Sequence, residues 1–360
     1  MRITFTILFL FLTAFVFSQD NPAKARKLYE EGIKMMEEGK LAEASSKIRE
    51  AKSLDPQNLD LKYVEAYLFY KKKQYPEAIS NLEAFIKSGN ANSNTYKLLG
   101  NCYELKGERL KAIETYRLGL KAFPNSGEML MEMGLVEMFN KNYKIALEYF
   151  EKGIKTDPSY ASNYYWAAKL YNQSSEKVWV MVYGEMFMNI ERNTDRTIDM
   201  GMLLFDLYKD AFVNKPDTAK YLQLTQMWLK AEAKSGTLIK PKATRTFEQT
   251  FTECMSQNTI QKNFNLGVLA NYRNNFLTDW FNENRQKAFP NALFAYLKKM
   301  KDEGKFEMYN YWLFQEGDQQ FMATWYEKNQ AKFTEFLAWF SDNPMKVDSE
   351  NKVYRLQYWK

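Results

Sequence analysis

The 360-residue chain has no histidine at all and only two cysteines, Cys102 and Cys254. The missing histidine removes the usual general base, the usual partner of a serine or cysteine nucleophile, and the commonest zinc ligand. Two cysteines this far apart supply no metal-binding spacing, and Cys102, in the middle of an apolar helical pattern, reads as a small buried residue rather than a reactive thiol. There is no glycine-rich phosphate loop, no dinucleotide fingerprint and no calcium loop. Acidic neighbours such as Glu30-Glu31 and Glu37-Glu38 diverge on a helix and cannot converge on a substrate. No enzyme, metal or cofactor is therefore expected. Charge of one sign is also scarce in any one place. The net charge is +6 and the longest basic run is Lys71-Lys72-Lys73, which suits a solvated helix end. A nucleic-acid footprint would need basic residues gathered on one face. Long apolar runs are missing too, except at the start: Ile3–Phe17 follows Met1-Arg2 and precedes Ser18, the pattern of an export signal spanning 1–18. It is shorter than the ~20 residues of a spanning helix. The expectation is an exported protein, periplasmic or secreted, with no stable membrane span once the signal is cleaved.

What the chain does contain is a period. Segments beginning at Ala25, Leu59, Ser93, Gly127 and Ala161 align without insertion, each 34 residues long. The eighth column reads Gly32, Ala66, Gly100, Gly134, Ala168. The twentieth reads Ala44, Ala78, Ala112, Ala146, Val180. Such a period marks a stacked array. Each unit reads as two amphipathic helices around a polar turn. The small columns are expected to face each other where the two helices cross. Ile48, Leu82, Tyr116 and Phe150 in column twenty-four are expected to fill the space between neighbouring units.

These columns resemble the tetratricopeptide repeat family. The match is clearest in Tyr96, Leu99, Gly100, Tyr103, Ala112, Tyr116 and Pro124 of the third unit. It weakens after Tyr160 and is lost beyond Arg192. The resemblance implies an all-α, right-handed superhelical solenoid of helical hairpins, and a role in holding protein or peptide partners rather than a reaction. It also implies that columns two, five, nine and twelve of each first helix line a concave groove. On this sequence the groove then contains Tyr29, a stripe of Tyr63, Tyr67 and Tyr70, a polar strip of Lys97, Asn101 and Glu104, a second stripe of Met131, Leu135 and Met138, and Tyr165. Aromatic and methionine side chains give large, adaptable contact area. The rival reading is that the curled array or the C-terminal region already covers them. The family's clamp for chaperone C-termini is not matched, because Glu132 stands where asparagine is needed and Ser162 and Tyr165 replace lysine and arginine.

The array is expected over 21–194, with Val178–Ile190 buried because it is apolar nearly all round. From 195 to 360 the period gives way to irregular helices: Ile198–Ala211, Thr218–Lys234, Ala243–Met255, Leu266–Phe281, Ala292–Met300, Phe306–Gln315 and Gln319–Trp339, with a break at Lys240-Pro241. Gly317 resembles the turn of a decayed repeat, with Ala323 at its crossing. The aromatic tail from Val353 is expected to dock back. Six of the eight tryptophans lie here: Trp228, Trp280, Trp312, Trp325, Trp339 and Trp359. They read as core, or alternatively as a glycan or small-molecule site with the repeats as a spacer. The leading expectation is a non-enzymatic scaffold holding a protein or peptide in the cell envelope, with no nucleic-acid partner.

Overall fold

The computed structural model describes residues 21–211, 245–257 and 264–358. The signal segment, the Thr218–Lys234 helix, the Lys240-Pro241 break, Trp228 and Trp359 lie outside these residues. Among the described residues the chain is all-α, with no strand. It forms two compact units, one ending at Pro124 and one starting at Asn125, so the division falls inside the repeats.

The first unit holds three hairpins. They are α1 (Asn21–Glu37) with α2 (Leu41–Leu54), α3 (Leu59–Lys71) with α4 (Tyr75–Lys87), and α5 (Ser93–Leu105) with α6 (Arg109–Ala122). The second unit continues with α7 (Gly127–Phe139) and α8 (Tyr143–Thr156), then α9 (Ala161–Asn172) and α10 (Lys177–Glu191). Within each unit the second helix of one hairpin packs on the first helix of the next, and first helices touch: α3 against α5, α7 against α9.

Local chemistry repeats with the same phase. In the second, third and fourth hairpins the residue before the first helix is its cap: the Asn58 side chain accepts from Asp60 and Leu61 N–H, Asn92 from Thr95 N–H, and Ser126 from Met129 N–H. Such caps satisfy backbone donors that the first turn leaves without partners. The turn inside each of the first four hairpins carries one left-handed residue. Gly39 (φ 75°) and Gly107 (φ 81°) supply it in the first and third, and Lys73 (φ 60°) and Lys141 (φ 62°) in the second and fourth. Lys71 ends α3, so the basic run is an exposed helix end and turn, as its sequence suggests.

The small eighth column seats a large side chain. A Cβ on Gly32 would lie 2.7 Å from Ile48 Cδ1, on Gly100 2.2 Å from Tyr116 Cε1, and on Gly134 2.3 Å from Phe150 Cε1. The eighth column therefore meets column twenty-four of its own hairpin. The large residue takes up the space that the missing side chain leaves. Tyr116 is 2% exposed and Phe150 0%, and full burial of such a ring contributes about 1.5–3 kcal/mol. In the fifth hairpin the pattern inverts. Column twenty-four is Gly184, whose absent side chain makes room for Met200 and Leu204 of the following helix.

That helix, α11 (Asp195–Lys209), starts 34 residues after α9, so the helical phase runs one helix past the point where the sequence period fades. After it come α12 (Phe247–Ser256), α13 (Leu266–Asn282), the single turn α14 (Arg285–Ala288), α15 (Ala292–Asp302), α16 (Phe306–Phe314), α17 (Gln319–Asp342) and a final 3-10 turn, Arg355–Tyr358. In α10 every residue from Val178 to Asn189 is buried, as its apolar circumference predicts. Helix α16 is buried except for Glu307 and packs on α11, α13, α15 and α17. Gly317 lies in the turn between α16 and α17, and a Cβ there would lie 2.3 Å from the Phe205 ring, so the glycine also seats Phe205. Ala323 is exposed and forms no crossing.

Two polar networks sit in this second core. The Arg273 guanidinium donates to Glu185 Oε1 and Oε2 at 2.6 and 2.7 Å, and to Asn310 Oδ1 at 2.6 Å, with both charged partners 5% exposed. The Tyr309 hydroxyl donates to the same carboxylate at 2.9 Å. One guanidinium nitrogen serves both carboxylate oxygens, and a charge-assisted pair with such further hydrogen bonds is a form in which a buried ion pair is tolerated. The other network holds the tail. Arg355 N–H donates to the Tyr183 hydroxyl at 2.8 Å, and its guanidinium lies 3.6 Å from Glu248. Tyr171 and Tyr183 each donate to Glu151 at 2.7 Å. Tyr358 stacks on Phe247 with centroids 4.9 Å apart. The tail therefore docks, as its aromatic content suggests.

Candidate partner-binding groove

In the first unit, the predicted groove positions lie on α1, α3 and α5. Tyr29, Tyr63 and Tyr67 are half-buried, each packing one side against the core made by Leu28, Ile48, Leu61 and Val64. Tyr70 is half-buried as well. Its ring stacks beside Tyr67, centroids 6.1 Å apart and planes 17° from parallel, and meets Tyr75 of α4 at 6.2 Å. Lys71 Nζ lies 5.5 Å from the Tyr67 centroid, within cation–π range. Burial raises the pKa of Tyr29, and the nearby Asp60 carboxylate adds to the effect. Burial likewise raises that of Tyr70, with Cys102, Tyr75 and Tyr67 nearby. The Tyr29 and Tyr70 phenols therefore stay neutral.

The polar strip follows on α5. Lys97 and Asn101 are half-buried and Glu104 is exposed. Asn101 is held from behind: its Oδ1 accepts from the Tyr116 hydroxyl at 2.6 Å. Tyr116 belongs to α6 and its ring occupies the space that Gly100 leaves open. The glycine thus sets the orientation of its neighbour at the groove position.

In the second unit the positions are less open. Met131 is 7% exposed and Tyr165 7%, and both belong to the large core cluster. Leu135 and Met138 are half-buried against that core. Tyr165 is covered by its neighbours. Its ring meets Trp166 at 5.1 Å and Phe187 at 5.0 Å, and the Arg196 guanidinium lies 5.1 Å from its centroid. Arg196 also bonds Ser162 and pairs with Glu191. Arg196 occupies column two of the sixth first helix, α11, which the fading period did not reveal; continuing the 34-residue count past Arg192 would have placed it.

Both thiols are inert. Cys102 and Cys254 are unbridged and fully buried, and burial pushes them up to about 11 and about 12. Of the tryptophans after Asp195, Trp280 and Trp312 are buried and Trp325 and Trp339 pack partly against the core, so those described serve packing. Among the described residues no helix is long and apolar enough to cross a membrane.

No family model matches the chain. Among curated proteins, it is 23% identical over 116 residues to the Hsp70-Hsp90 organizing protein of Triticum aestivum, which covers 32% of this chain and 20% of that protein. It is 35% identical over 82 residues to photosystem I assembly protein Ycf3 of Synechococcus sp. (strain CC9605), covering 20% of this chain and 47% of that one. The chain therefore spans from a fifth to about half of the length of these relatives. Among solved structures, PilF of Pseudomonas aeruginosa is 18% identical with a TM-score of 0.43, covering 58% of this chain and 94% of that one. YrrB, described as a TPR protein with an unusual peptide-binding site, is 19% identical with a TM-score of 0.32, covering 49% and 92%. By its 34-residue phase and its paired helices, the chain has the tetratricopeptide repeat fold.

Proposed function

We propose that the chain is a non-enzymatic scaffold of the cell envelope, exported by its N-terminal signal, that holds a protein or peptide on the first-helix face of its first unit. The carrying observation is the set Tyr29, Tyr63, Tyr67 and Tyr70: the first three pack against the core, Tyr70 stacks beside Tyr67, and all four are only half-buried. Rigid aromatic side chains that lose little freedom on contact are good anchors. Lys97, Asn101 and Glu104 beside them supply donors and acceptors that would fix register. Met131 and Tyr165 are already occupied in the core and are left out of this surface.

Site-specific photocrosslinking tests the reading. A benzoylphenylalanine at position 67 is compared in cells with one at position 80, an exposed residue of α4. A discrete adduct at 67, absent at 80 and lost when Lys97 and Asn101 are changed to alanine, supports it. The same adducts at both positions, or none, refute it. Cell fractionation and the N-terminal mass of the mature chain test the envelope location.

A further inference from the structure

Residues 353–358 sit in the second unit as a peptide sits in a binding site. Val353, Arg355 and Tyr358 are 0%, 5% and 4% exposed, while Leu356 between them is 44% exposed. Spaced anchors with open residues between them are how pockets read an extended segment. The Arg355 guanidinium enters a socket where three carboxylates act on it. They are Glu151 of α8, Glu176 just before α10, and Glu248 of α12, the last at 3.6 Å. The Arg355 main-chain N–H donates to the Tyr183 hydroxyl at 2.8 Å, and that hydroxyl donates to Glu151 at 2.7 Å. Three residues on, the Tyr358 ring stacks on Phe247 and its hydroxyl donates to the Pro290 carbonyl at 2.9 Å. The chain leading in is open by comparison. Residues 348–351 are exposed, Asp348 Oδ1 accepts from the Glu350 and Asn351 N–H groups, and Asn351 Nδ2 donates to the Lys346 carbonyl, so these bonds stay within the stretch. The segment contains no α-helix, so its release unwinds none. What release leaves behind is chemically specific. Glu176 and Glu248 are 3% and 1% exposed, and carboxylates gathered in such burial are costly without a cation. The emptied socket therefore calls for a guanidinium, and the Phe247 face for a ring three residues later.

We propose that the socket of Glu151, Glu176 and Glu248 beside Phe247 is a binding site for a peptide with an arginine and, three positions on, an aromatic residue, and that the chain's own residues 353–358 occupy it as an exchangeable ligand. Tethering gives this internal ligand an effective concentration on the order of millimolar. The same sequence offered from outside therefore binds well only when the internal anchors are removed. The site is independent of the first-helix face of the first unit and stands or falls separately from it.

Fluorescence anisotropy with a labelled Val-Tyr-Arg-Leu-Gln-Tyr peptide, the sequence of residues 353–358, tests it. The expected result is saturable one-to-one binding to the full chain carrying Arg355→Ala and Tyr358→Ala, at least tenfold tighter than to the unaltered chain. Citrulline in place of the peptide's arginine keeps the shape, removes the charge and weakens binding at least tenfold. Adding Glu248→Gln to the variant weakens it at least fivefold. Hydrogen exchange on the unaltered chain supplies an arm that depends on no variant's folding. There the Arg355 amide exchanges at least a hundredfold faster than amides in the middle of α10, because the segment leaves while the helices stay folded. No saturable binding by a variant that keeps the parent's helix content, equal binding by the unaltered chain or of the citrulline peptide, or an Arg355 amide as protected as those of α10 overturns the proposal.

Discussion

Gly100→Ala is the substitution whose effect the structure constrains most tightly. The new Cβ would lie 2.2 Å from Tyr116 Cε1 and 2.6 Å from Cζ, distances at which the ring must move. Tyr116 is 2% exposed and has no solvent to move into. Overpacking of this kind costs about 1–3 kcal/mol. The shift also breaks the Tyr116–Asn101 hydrogen bond, which contributes about 1 kcal/mol. Against these stands the better helix propensity of alanine, about 1 kcal/mol. The net expectation is a loss of about 1–3 kcal/mol. Tyr116→Leu alone loses part of a buried ring, about 2 kcal/mol. The second hairpin already carries the combination, Ala66 with Leu82, both buried. The double variant is therefore expected to be no less stable than Tyr116→Leu alone, a favourable coupling of about 1–3 kcal/mol. A repeat array does not unfold as one two-state body. The measurement is thus native-state hydrogen exchange of amides in the middle of α5 and α6, which reads local opening. Additivity of the two substitutions within about 0.5 kcal/mol would refute the claim that Gly100 exists for Tyr116.

Other outcomes follow from the same reasoning. Lys73→Gly and Lys141→Gly, which relieve left-handed lysines, should each stabilise their hairpin by about 0.5–1 kcal/mol in the same exchange measurement. Arg273→Met leaves Glu185 buried without its counter-charge and should cost about 3–5 kcal/mol in chemical denaturation of the second unit, whereas Lys298→Met, at an exposed pair, should cost under about 1 kcal/mol. Burial raises the Glu151 carboxyl above its ordinary 4.5, so the folded chain keeps a proton that the unfolded chain has released. Stability then falls as pH rises from the ordinary carboxylate range through the raised value, and Glu151→Gln should remove that slope in melting curves recorded from pH 4.5 to 8. Cys102 and Cys254 should react with a thiol reagent at pH 8 only after denaturant is added.

Which parts of this were legible in the sequence depends on the range of the interaction. The hairpins are written in local period, so α1 to α10 fall where the columns place them, and the apolar circumference of α10 announced its burial. The contact of Gly100 with Tyr116 was not legible, because helical spacing shows which residues share a face but not which residue of the opposing helix meets them; only the crossing geometry selects column twenty-four. The burial of Met131 and Tyr165 was not legible either, since the residues covering them arrive through packing, among them Arg196 from a helix beyond the recognisable period. Glu185 was a missed signal of another kind. A carboxylate in the middle of the apolar stretch Val178–Met188 demands a cation, but its partner stands 88 residues away, and nothing local names Arg273.

The cap positions have a consequence for how such a chain changes over generations. Asn58, Asn92 and Ser126 each end one unit of the count while initiating the helix of the next. A unit excised or duplicated in phase therefore carries away one cap and leaves another in its place, so neither cut edge is left with bare backbone donors. The array can be lengthened or shortened like a sentence whose punctuation travels with each clause. By the same logic, a duplication out of phase by even two residues would strand a cap inside a helix and its left-handed turn residue in the wrong place.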